Sequence, residues 1–266
     1  MKHPLANVVL GLSLLAGTGC LQHGDGTDTD TAEGAVESAE TAESEGNVMM
    51  AAVDGADMAA GLAPATSDQI AARVAANLVA RWNPRACAVA TQTGATVSVT
   101  LTDCTGPRGL AHVSGHLTLV VSVSATGVIS VHGTSNDLQV NGASLDLDAN
   151  AVYSTSGTNH SIAVTTQSSG TGARGLPVEH DGDFTITWDT STQCRSIAGD
   201  WSTEIGTASR STTANLSRCA DGCPTGSIVR HTRAGQTITV TFDGQGTAAW
   251  SSTAGRSGSV TLACAR

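Results

Sequence analysis

Residues 113–131, VSGHLTLVVSVSATGVISV, contain the pattern that predicts the fold of this chain. In the first half of the stretch, apolar side chains occupy every second position, which is the period of a β-strand with one buried face. These alternating positions are Leu117, Leu119, Val121 and Val123. The stretch therefore predicts a strand, and the SATG sequence that follows predicts a turn.

The turn determines how the two flanking strands pair. A three-residue loop with Gly127 in the left-handed conformation gives a type I turn followed by a bulge. That geometry places Val121 opposite Val131 and Val123 opposite Ile129, so the apolar residues of both strands share one face. Because the turn and the hydrophobic pattern agree, we expect an antiparallel hairpin here.

The same period of two recurs over most of the remaining chain, in runs separated by Gly-rich turns. Further strands are expected at 95–101, 136–140, 143–154, 160–168, 184–188, 197–205, 237–242, 247–252 and 259–264. From its composition, 168–182 is interpreted as a loop and a seam between two subdomains. Runs of short strands predict a mainly β fold, an antiparallel meander forming a curved sheet, a sandwich or a partly closed barrel.

One helix is expected before the sheet, over 66–82. Thr66 and Gln69 have the spacing of a capping box. Apolar residues recur every four positions at Ile70, Val74, Leu78 and Trp82, and Pro84 prevents continuation. Such a helix has one apolar face, which we expect to pack against the sheet.

The chain begins with a pattern typical of secretory leaders. Lys2 precedes a short apolar run at 8–15, and the small residues AGTG come directly before Cys20. The run is too short to span a membrane as a helix, so residues 1–19 are interpreted as a removable signal peptide.

This start resembles the lipobox of bacterial lipoproteins, although Gly17 stands where that family has Leu. The resemblance implies that Cys20 is acylated and anchors the chain in a membrane. By the sorting pattern of that family, Leu21 after the lipid site implies the outer membrane. The turns CTGPRGL (104–110) and DGCPTGSI (221–228) resemble those of uncharacterised lipoproteins from predatory, large-genome soil bacteria.

The cysteine count agrees with export. Of the seven cysteines, six remain when Cys20 is set aside, and an even set in an exported chain indicates three disulfides. The connectivity stays open from sequence alone, and proximity along the chain favours Cys87 with Cys104 and Cys219 with Cys223. Cys194 is then left to pair with Cys264.

The negative charge is concentrated ahead of the folded part. Between Gln22 and Asp57 there are ten acidic residues and no Lys or Arg. From Met58 onward there are thirteen acidic residues and twelve arginines, so the charges nearly cancel. Residues 20–46 are therefore interpreted as a lipidated, disordered acidic tether, and 47–62 as a short helical or irregular segment. Residues 63–266 form the single β-domain, which lacks the basic face that a nucleic-acid partner requires.

Three histidines are the candidate polar site, on the face of the hairpin opposite its apolar residues. His112 and His116 lie in the first strand, and His132 in the second should stand opposite Val120, with His116 opposite Asn136. Two histidines four apart on one strand are about 13 Å apart, too far to share a metal ion. We interpret them as residues of a solvent-exposed outer face. If the sheet closes in the opposite sense, this side becomes its interior instead.

The chain lacks the sequence patterns of common catalytic and cofactor sites. Residues 255–258 fall short of a Ser-nucleophile motif and are expected to form a hairpin turn, and Asp146 with Asp148 is expected on a solvated face. Trp188, Trp201 and Trp250 are interpreted as core anchors. We therefore expect no cofactor and no catalytic residue.

These observations predict an envelope-anchored lipoprotein with a non-enzymatic structural or binding role and a membrane partner through its lipid anchor. The alternative is a carrier of lipid or another apolar ligand. A curved sheet holding a helix on its concave side is similar to the half-barrels that carry lipoproteins across the periplasm. A hydrolase is a third possibility, which Ser, His and Asp within hydrogen-bond reach would support.

Overall fold

The computed structural model describes residues 66–80, 82–105, 112–140, 142–172, 175–219, 222–232 and 235–262. The expected signal peptide (1–19), the tether with Cys20 (20–46), the segment 47–62 and Cys264 lie outside the described residues. The described part contains a helix α1 (Ser67–Ala80), a 3₁₀ turn (Arg85–Cys87) and thirteen strands.

The bounds of the strands are β1 Ala88–Thr93, β2 Thr96–Thr105, β3 His112–Val123, β4 Ile129–Val140, β5 Ala143–Ser156, β6 Asn159–Thr171, β7 Pro177–Asp189, β8 Cys194–Ile205, β9 Ala208–Cys219, β10 Thr225–Thr232, β11 Thr237–Asp243, β12 Thr247–Ser252 and β13 Ser257–Thr261. β2 to β9 are long, whereas β1 at one edge and β10 to β13 at the other end of the sheet are shorter.

All thirteen strands form one antiparallel meander in which each strand pairs with its neighbours in the sequence. Among the described residues β1 pairs only with β2 and β13 only with β12, so the sheet is not closed. The mainly β fold expected from the alternating pattern is confirmed, as is the helix ahead of the sheet.

The hairpin at residues 113–131 has the expected register. Val121 pairs with Val131 and Val123 with Ile129, and Gly127 adopts a φ of +81°. The Gly127 N–H donates to the Ser124 carbonyl at 2.9 Å, which closes the turn. Local turn chemistry and the hydrophobic pattern were sufficient to predict this pairing.

One face of the sheet supplies the core. Alternate side chains along the strands are buried, and they join the apolar face of α1 in a single cluster. We call the sheet surface facing this cluster the inner face and the opposite surface the outer face. Helix α1 packs against β1, β2 and β3, yet inner-face residues as far along as Ala248 on β12 are buried, which indicates that the sheet curves around its inner face.

Helix α1 begins with the expected capping box. The Thr66 N–H donates to Gln69 Oε1 at 3.1 Å, and the Gln69 N–H donates to Thr66 Oγ1 at 3.3 Å. Ile70, Val74 and Leu78 are buried, and the helix packs against β1, β2 and β3. It ends at Ala80, before the expected Trp82, and the chain beyond it pairs with β2 through a bridge of Asn83 to Thr105.

The expected loop at 168–182 is wrong. β6 continues to Thr171 and β7 begins at Pro177, with Ser168 paired to His180 and Gly170 to Val178. Ser and Gly are weak strand formers by propensity, but tertiary pairing overrides propensity when a ladder is extended from both neighbouring strands. The ladder therefore runs on through most of the segment interpreted as a subdomain seam.

Two disulfides lie within the described residues. Cys87 bonds Cys104, as expected, but Cys194 bonds Cys219. The pairings of Cys219 with Cys223 and of Cys194 with Cys264 are therefore wrong. The reason is the β8–β9 ladder, which places Cys194 directly opposite Cys219 with their Cα atoms 3.8 Å apart.

Peptide mapping under non-reducing conditions should recover Cys87–Cys104, Cys194–Cys219 and a third bridge from Cys223 to Cys264. Cys223 is also disulfide-bonded, and with four cysteines already paired, Cys264 is the remaining cysteine of the β-domain. The measurement is proteolysis at acidic pH followed by mass spectrometry, with a reduced digest as the control. A peptide joining Cys219 to Cys223 would contradict the register of β8 with β9.

Candidate functional site

The three candidate histidines lie on the outer face, each beside an aspartate. His112 Nδ1 lies 3.0 Å from Asp103 Oδ1, and His132 Nε2 lies 3.1 Å from Asp148 Oδ2. These side chains are all well exposed to solvent. His132 stands opposite Val120, as expected.

His116 has a different neighbour from the one expected. A bulge shifts the register of β3 against β4 between Ser114 and Thr118 and brings Asp137, rather than Asn136, to the histidine. Asp137 Oδ1 accepts the His116 backbone N–H at 2.9 Å, and Oδ2 lies 2.6 Å from the ring Nδ1. The paired strands thus present one histidine and one carboxylate together on a wet surface.

These contacts lower the pKa of Asp137. The hydrogen bond from the His116 side chain is the largest cause, followed by the hydrogen bond from the His116 backbone N–H. Both stabilise the ionised carboxylate, which therefore takes up a proton at a lower pH in the folded chain than in the unfolded chain. Any stability that Asp137 contributes is present above its unfolded pKa and is lost as the pH falls through its folded pKa.

Asp137→Asn should therefore make the thermal stability less sensitive to acid. We expect the Tm difference between wild type and variant to be largest at pH 6 and to disappear well below the ordinary Asp pKa of about 3.9. Calorimetry at pH 6 and at low pH measures this. Asp146→Asn makes the same chemical change on the outer face of β5, where the carboxylate is exposed, and serves as control. An equal pH response of the two variants would contradict the role of His116.

Ser135, Asp137 and His116 do not form the arrangement that activates a serine. The Ser135 hydroxyl donates to Asp137 Oδ1 at 3.5 Å, while the imidazole contacts the other carboxylate oxygen. A nucleophilic serine needs the imidazole itself as its proton acceptor, with the carboxylate behind the ring. The contacts run from serine to aspartate to histidine, which leaves the ring unable to take the serine proton.

The outer face of β5 to β8 is strongly acidic. A shallow groove of about 380 Å³ crosses β4 to β7, and its lining includes Asp146, Asp148, Glu179 and Asp181. Asp146 and Asp148 are both exposed, as expected. Within the described residues, no three His, Cys, Asp or Glu side chains converge closely enough to hold a metal ion.

The inner face contains a second polar cluster, at one end of β7 to β10, which we call the inner polar end. The first row of its residues runs from His180 through Thr203 and Arg210 to Thr232, each opposite the next in the ladder. The adjacent row runs from Trp201 through Thr212 to Arg230. These seven residues alternate with outer-face residues, so the strand period places all of them on one surface.

The two rows differ in their access to solvent. His180, Thr203 and Arg210 are partly exposed, whereas Trp201, Thr212 and Arg230 are each only 3% exposed. His180 Nδ1 lies 2.9 Å from Thr203 Oγ1. The first row is therefore partly exposed at three residues but buried at Thr232, and the second row is buried throughout.

Two atoms of the inner polar end are buried without a hydrogen-bond partner, Trp201 Nε1 and Thr232 Oγ1. Leaving one such group unmatched costs on the order of 1–3 kcal/mol. Trp201 on β8 and Thr232 on β10 lie two strands apart, so these are two separate buried groups of a kind that is uncommon in a native fold.

Sequence reasoning did not identify the inner polar end. Trp201, expected as a core anchor, is 3% exposed, and its indole N–H lies over Gly182 on β7, beside Thr166 on β6. One signal was readable in IVRHT, 228–232, where Arg230 and Thr232 share the phase of the apolar Ile228. An arginine at a position of that phase indicates a buried charge.

No family model, curated protein or solved structure matches this chain. Within the described residues, no helix has the length and apolar character needed to cross a bilayer.

Proposed function

We propose that this chain is a lipoprotein of the cell envelope, acylated at Cys20 and held at the outer membrane, with a non-enzymatic binding role. The observation that carries the proposal is the pair of disulfides, Cys87–Cys104 and Cys194–Cys219. Disulfides persist in exported proteins and are rare in a reducing cytosol. They support export, and the leader that ends at Cys20 supports a lipid as the means of attachment.

Metabolic labelling with alkyne-tagged palmitate tests the anchor. The mature wild-type protein should carry the label and sediment with membranes, and Cys20→Ala should lose both properties. Ser13→Ala, in the apolar part of the same leader, is the control and should be labelled normally. Unlabelled mature protein, or label retained in Cys20→Ala, would contradict the lipoprotein proposal.

A second candidate function is the carriage of lipid or another apolar ligand. It is favoured by the open sheet, because β1 and β13 each have one described neighbour and leave the curved sheet unsealed. The middle of the inner face is apolar and its end is polar, which suits an amphipathic molecule. Native mass spectrometry of the protein from its own host should then find co-purified lipid, and an empty protein would argue against carriage.

A further inference from the structure

We infer that two copies of this chain join edge to edge through β13, which pairs antiparallel with β13 of the second copy about a two-fold axis at Ser259. The inference goes beyond the binding role proposed above, because it names a surface and the partner that fits it. The two sheets then form one continuous sheet, in which β1 of each copy remains an edge.

The free side of β13 presents backbone groups that an added strand would pair. In the ladder with β12, the Leu262 N–H donates to the Gly246 carbonyl at 2.8 Å. Backbone groups alternate in direction along a strand, so the even-numbered residues of β13 face β12, whereas Ser257, Ser259 and Thr261 face away from it. Among the described residues no strand pairs with this side, and Ser257 and Ser259 are exposed. Addition of a strand to such an edge is a common mode of association.

β13 lacks the features that keep edge strands apart. Its sequence, SGSVT, contains no charge and no proline, and its ladder with β12 has no bulge. Charges, prolines and bulges are the usual means by which an edge strand is blocked. β1 at the other edge also lacks charge, but α1 packs against it, and the Gln92 side chain donates to the Asp68 carbonyl of the helix. The edge that is open to a second copy is therefore β13.

The sequence of β13 is complementary to itself when it is paired antiparallel. A pairing centred on Ser259 overlaps all five residues of the strand and places Gly258 opposite Val260 of the partner subunit. Residues that stand opposite each other share a face, and Gly258 and Val260 lie on the inner face, where they pair with Trp250 and Ala248 of β12. A branched side chain therefore meets a glycine on each side of the axis.

Trp250 supplies an aromatic anchor at this edge. A Cβ at Gly258 would lie 2.8 Å from Trp250 Nε1 and 3.1 Å from its Cε2, so the indole lies across the glycine on the inner face. Trp250 is only partly buried against the core. Val260 of the partner subunit, opposite Gly258, comes beside this ring. Tryptophan is enriched among the residues that carry most of the binding energy of an interface.

The symmetry limits the assembly to two copies, because a two-fold pairing uses the same edge of both chains. About six backbone hydrogen bonds join the two strands, two for each pair of outward-facing residues. A contact of one short strand per copy is at the small end of specific interfaces. We therefore expect a dimer in reversible equilibrium with the monomer.

Engineered cysteines test the position of the axis. Ser259→Cys places a thiol opposite its own copy, where the Cα atoms of a hydrogen-bonded pair are about 5.5 Å apart, within the range of a disulfide. Ser257→Cys is the matched control, because Ser257 is exposed on the same face of the same strand, but its two copies are four positions out of register and at least about 13 Å apart. The purified mature protein is treated with a mild oxidant and run on a non-reducing gel. We expect a dimer band that reduction removes for Ser259→Cys, and far less of it for Ser257→Cys.

Sedimentation equilibrium shows whether the dimer forms without a cross-link. Ser259→Lys places two lysines opposite each other at the axis, and like charges in that position oppose pairing. The dissociation constant of the dimer should rise at least roughly tenfold over that of the wild type. Thr241→Lys adds the same charge on the exposed outer face of β11, two strands from the edge, and should leave the dimer unchanged.

Equal cross-linking of Ser257→Cys and Ser259→Cys, or a wild type that is monomeric at every concentration, would show that the inference is wrong. Assemblies larger than a dimer would show that β13 joins β1 of the next copy, and a cross-link to a co-purified protein would show a different occupant; either result would overturn it. The cross-link is made in purified protein and does not depend on the lipid. Failure of palmitate labelling at Cys20 would therefore remove the lipoprotein proposal and leave the dimer in place.

Discussion

Gly199→Ala should destabilise the fold by about 3 kcal/mol or more, at the upper end of what one added methyl group causes. Gly199 on β8 stands opposite Phe184 on β7. A Cβ at Gly199 would lie 2.3 Å from the Asp183 carbonyl oxygen and 2.4 Å from both Cα and Cβ of Phe184. These are atoms of the neighbouring strand close to its backbone, so no side-chain rotation relieves the contact.

The consequence is a local separation of β7 from β8 beside two buried aromatic rings. Phe184 is 1% exposed, and its ring centroid lies 5.6 Å from that of Trp201. Separating the strands would expose both rings and break ladder hydrogen bonds. Urea unfolding followed by circular dichroism measures the loss of free energy, and thermal unfolding should show a fall in Tm of about 10 °C.

The control for Gly199→Ala is Ala198→Val. It adds two methyl groups at the preceding residue, whose side chain lies on the exposed outer face. It should change stability by less than about 0.5 kcal/mol. Gly199→Ala should cost as much in a Phe184→Ala background as in wild type, because alanine keeps the Cα and Cβ that the new methyl group meets. Rescue by Phe184→Ala would show that the ring, rather than the strand backbone, fills the space beside Gly199.

Sequence was sufficient wherever the deciding interaction was local. The hairpin around Gly127 follows from one turn and one apolar pattern, and the start of α1 from two residues three apart. Cys87 and Cys104 are separated by 17 positions and close a short loop. For the hairpin and the capping box, a few neighbouring residues carry enough information to exclude the alternatives. For the cysteines they do not, because the proximity that favoured Cys87 with Cys104 also favoured Cys219 with Cys223, which is wrong.

Features that depend on register across several strands could not be predicted. β9 is rich in Ser and Thr, so its pattern gives little preference between the two possible faces. The pairing of Cys194 with Cys219 depends on that strand, as does the ladder row that runs from Trp201 through Thr212 to Arg230. The inner polar end therefore becomes visible only once four strands are aligned.

The outer histidines show a third case, in which the residues were found and their partners were not. The strand period placed His112 and His116 on one face, and both are exposed there. Their aspartates come from bulges, at Asp103 with a φ of +48° and in β4 near Asp137. A bulge adds one residue to one strand, and its position depends on the pairing of both strands.

Removing the Cys87–Cys104 disulfide with alanine at both positions should cost more stability than removing Cys194–Cys219 in the same way. The sequence separations are 17 and 25 residues, and for both loops the loss of cross-link entropy in the unfolded chain corresponds to about 3 kcal/mol. Loop length alone therefore favours Cys194–Cys219 by a few tenths of a kcal/mol. The difference must come from the folded state.

Burial decides the order. Cys87 is 7% exposed and Cys104 is 0% exposed, and both belong to the apolar cluster beside α1. Replacing the two sulfur atoms by hydrogen leaves a void there, which adds on the order of 1–2 kcal/mol to the entropic loss. Cys219 is exposed at the end of β9, so truncating its side chain leaves no void.

We expect a loss of about 4–5 kcal/mol for Cys87→Ala/Cys104→Ala and of about 3 kcal/mol or less for Cys194→Ala/Cys219→Ala. Urea unfolding in an oxidising buffer measures both, and the fully reduced wild type gives the scale. A larger loss for Cys194→Ala/Cys219→Ala would mean that loop closure outweighs core packing. In that case the exposed bridge between β8 and β9, and not the bridge beneath α1, would be the main covalent support of the sheet.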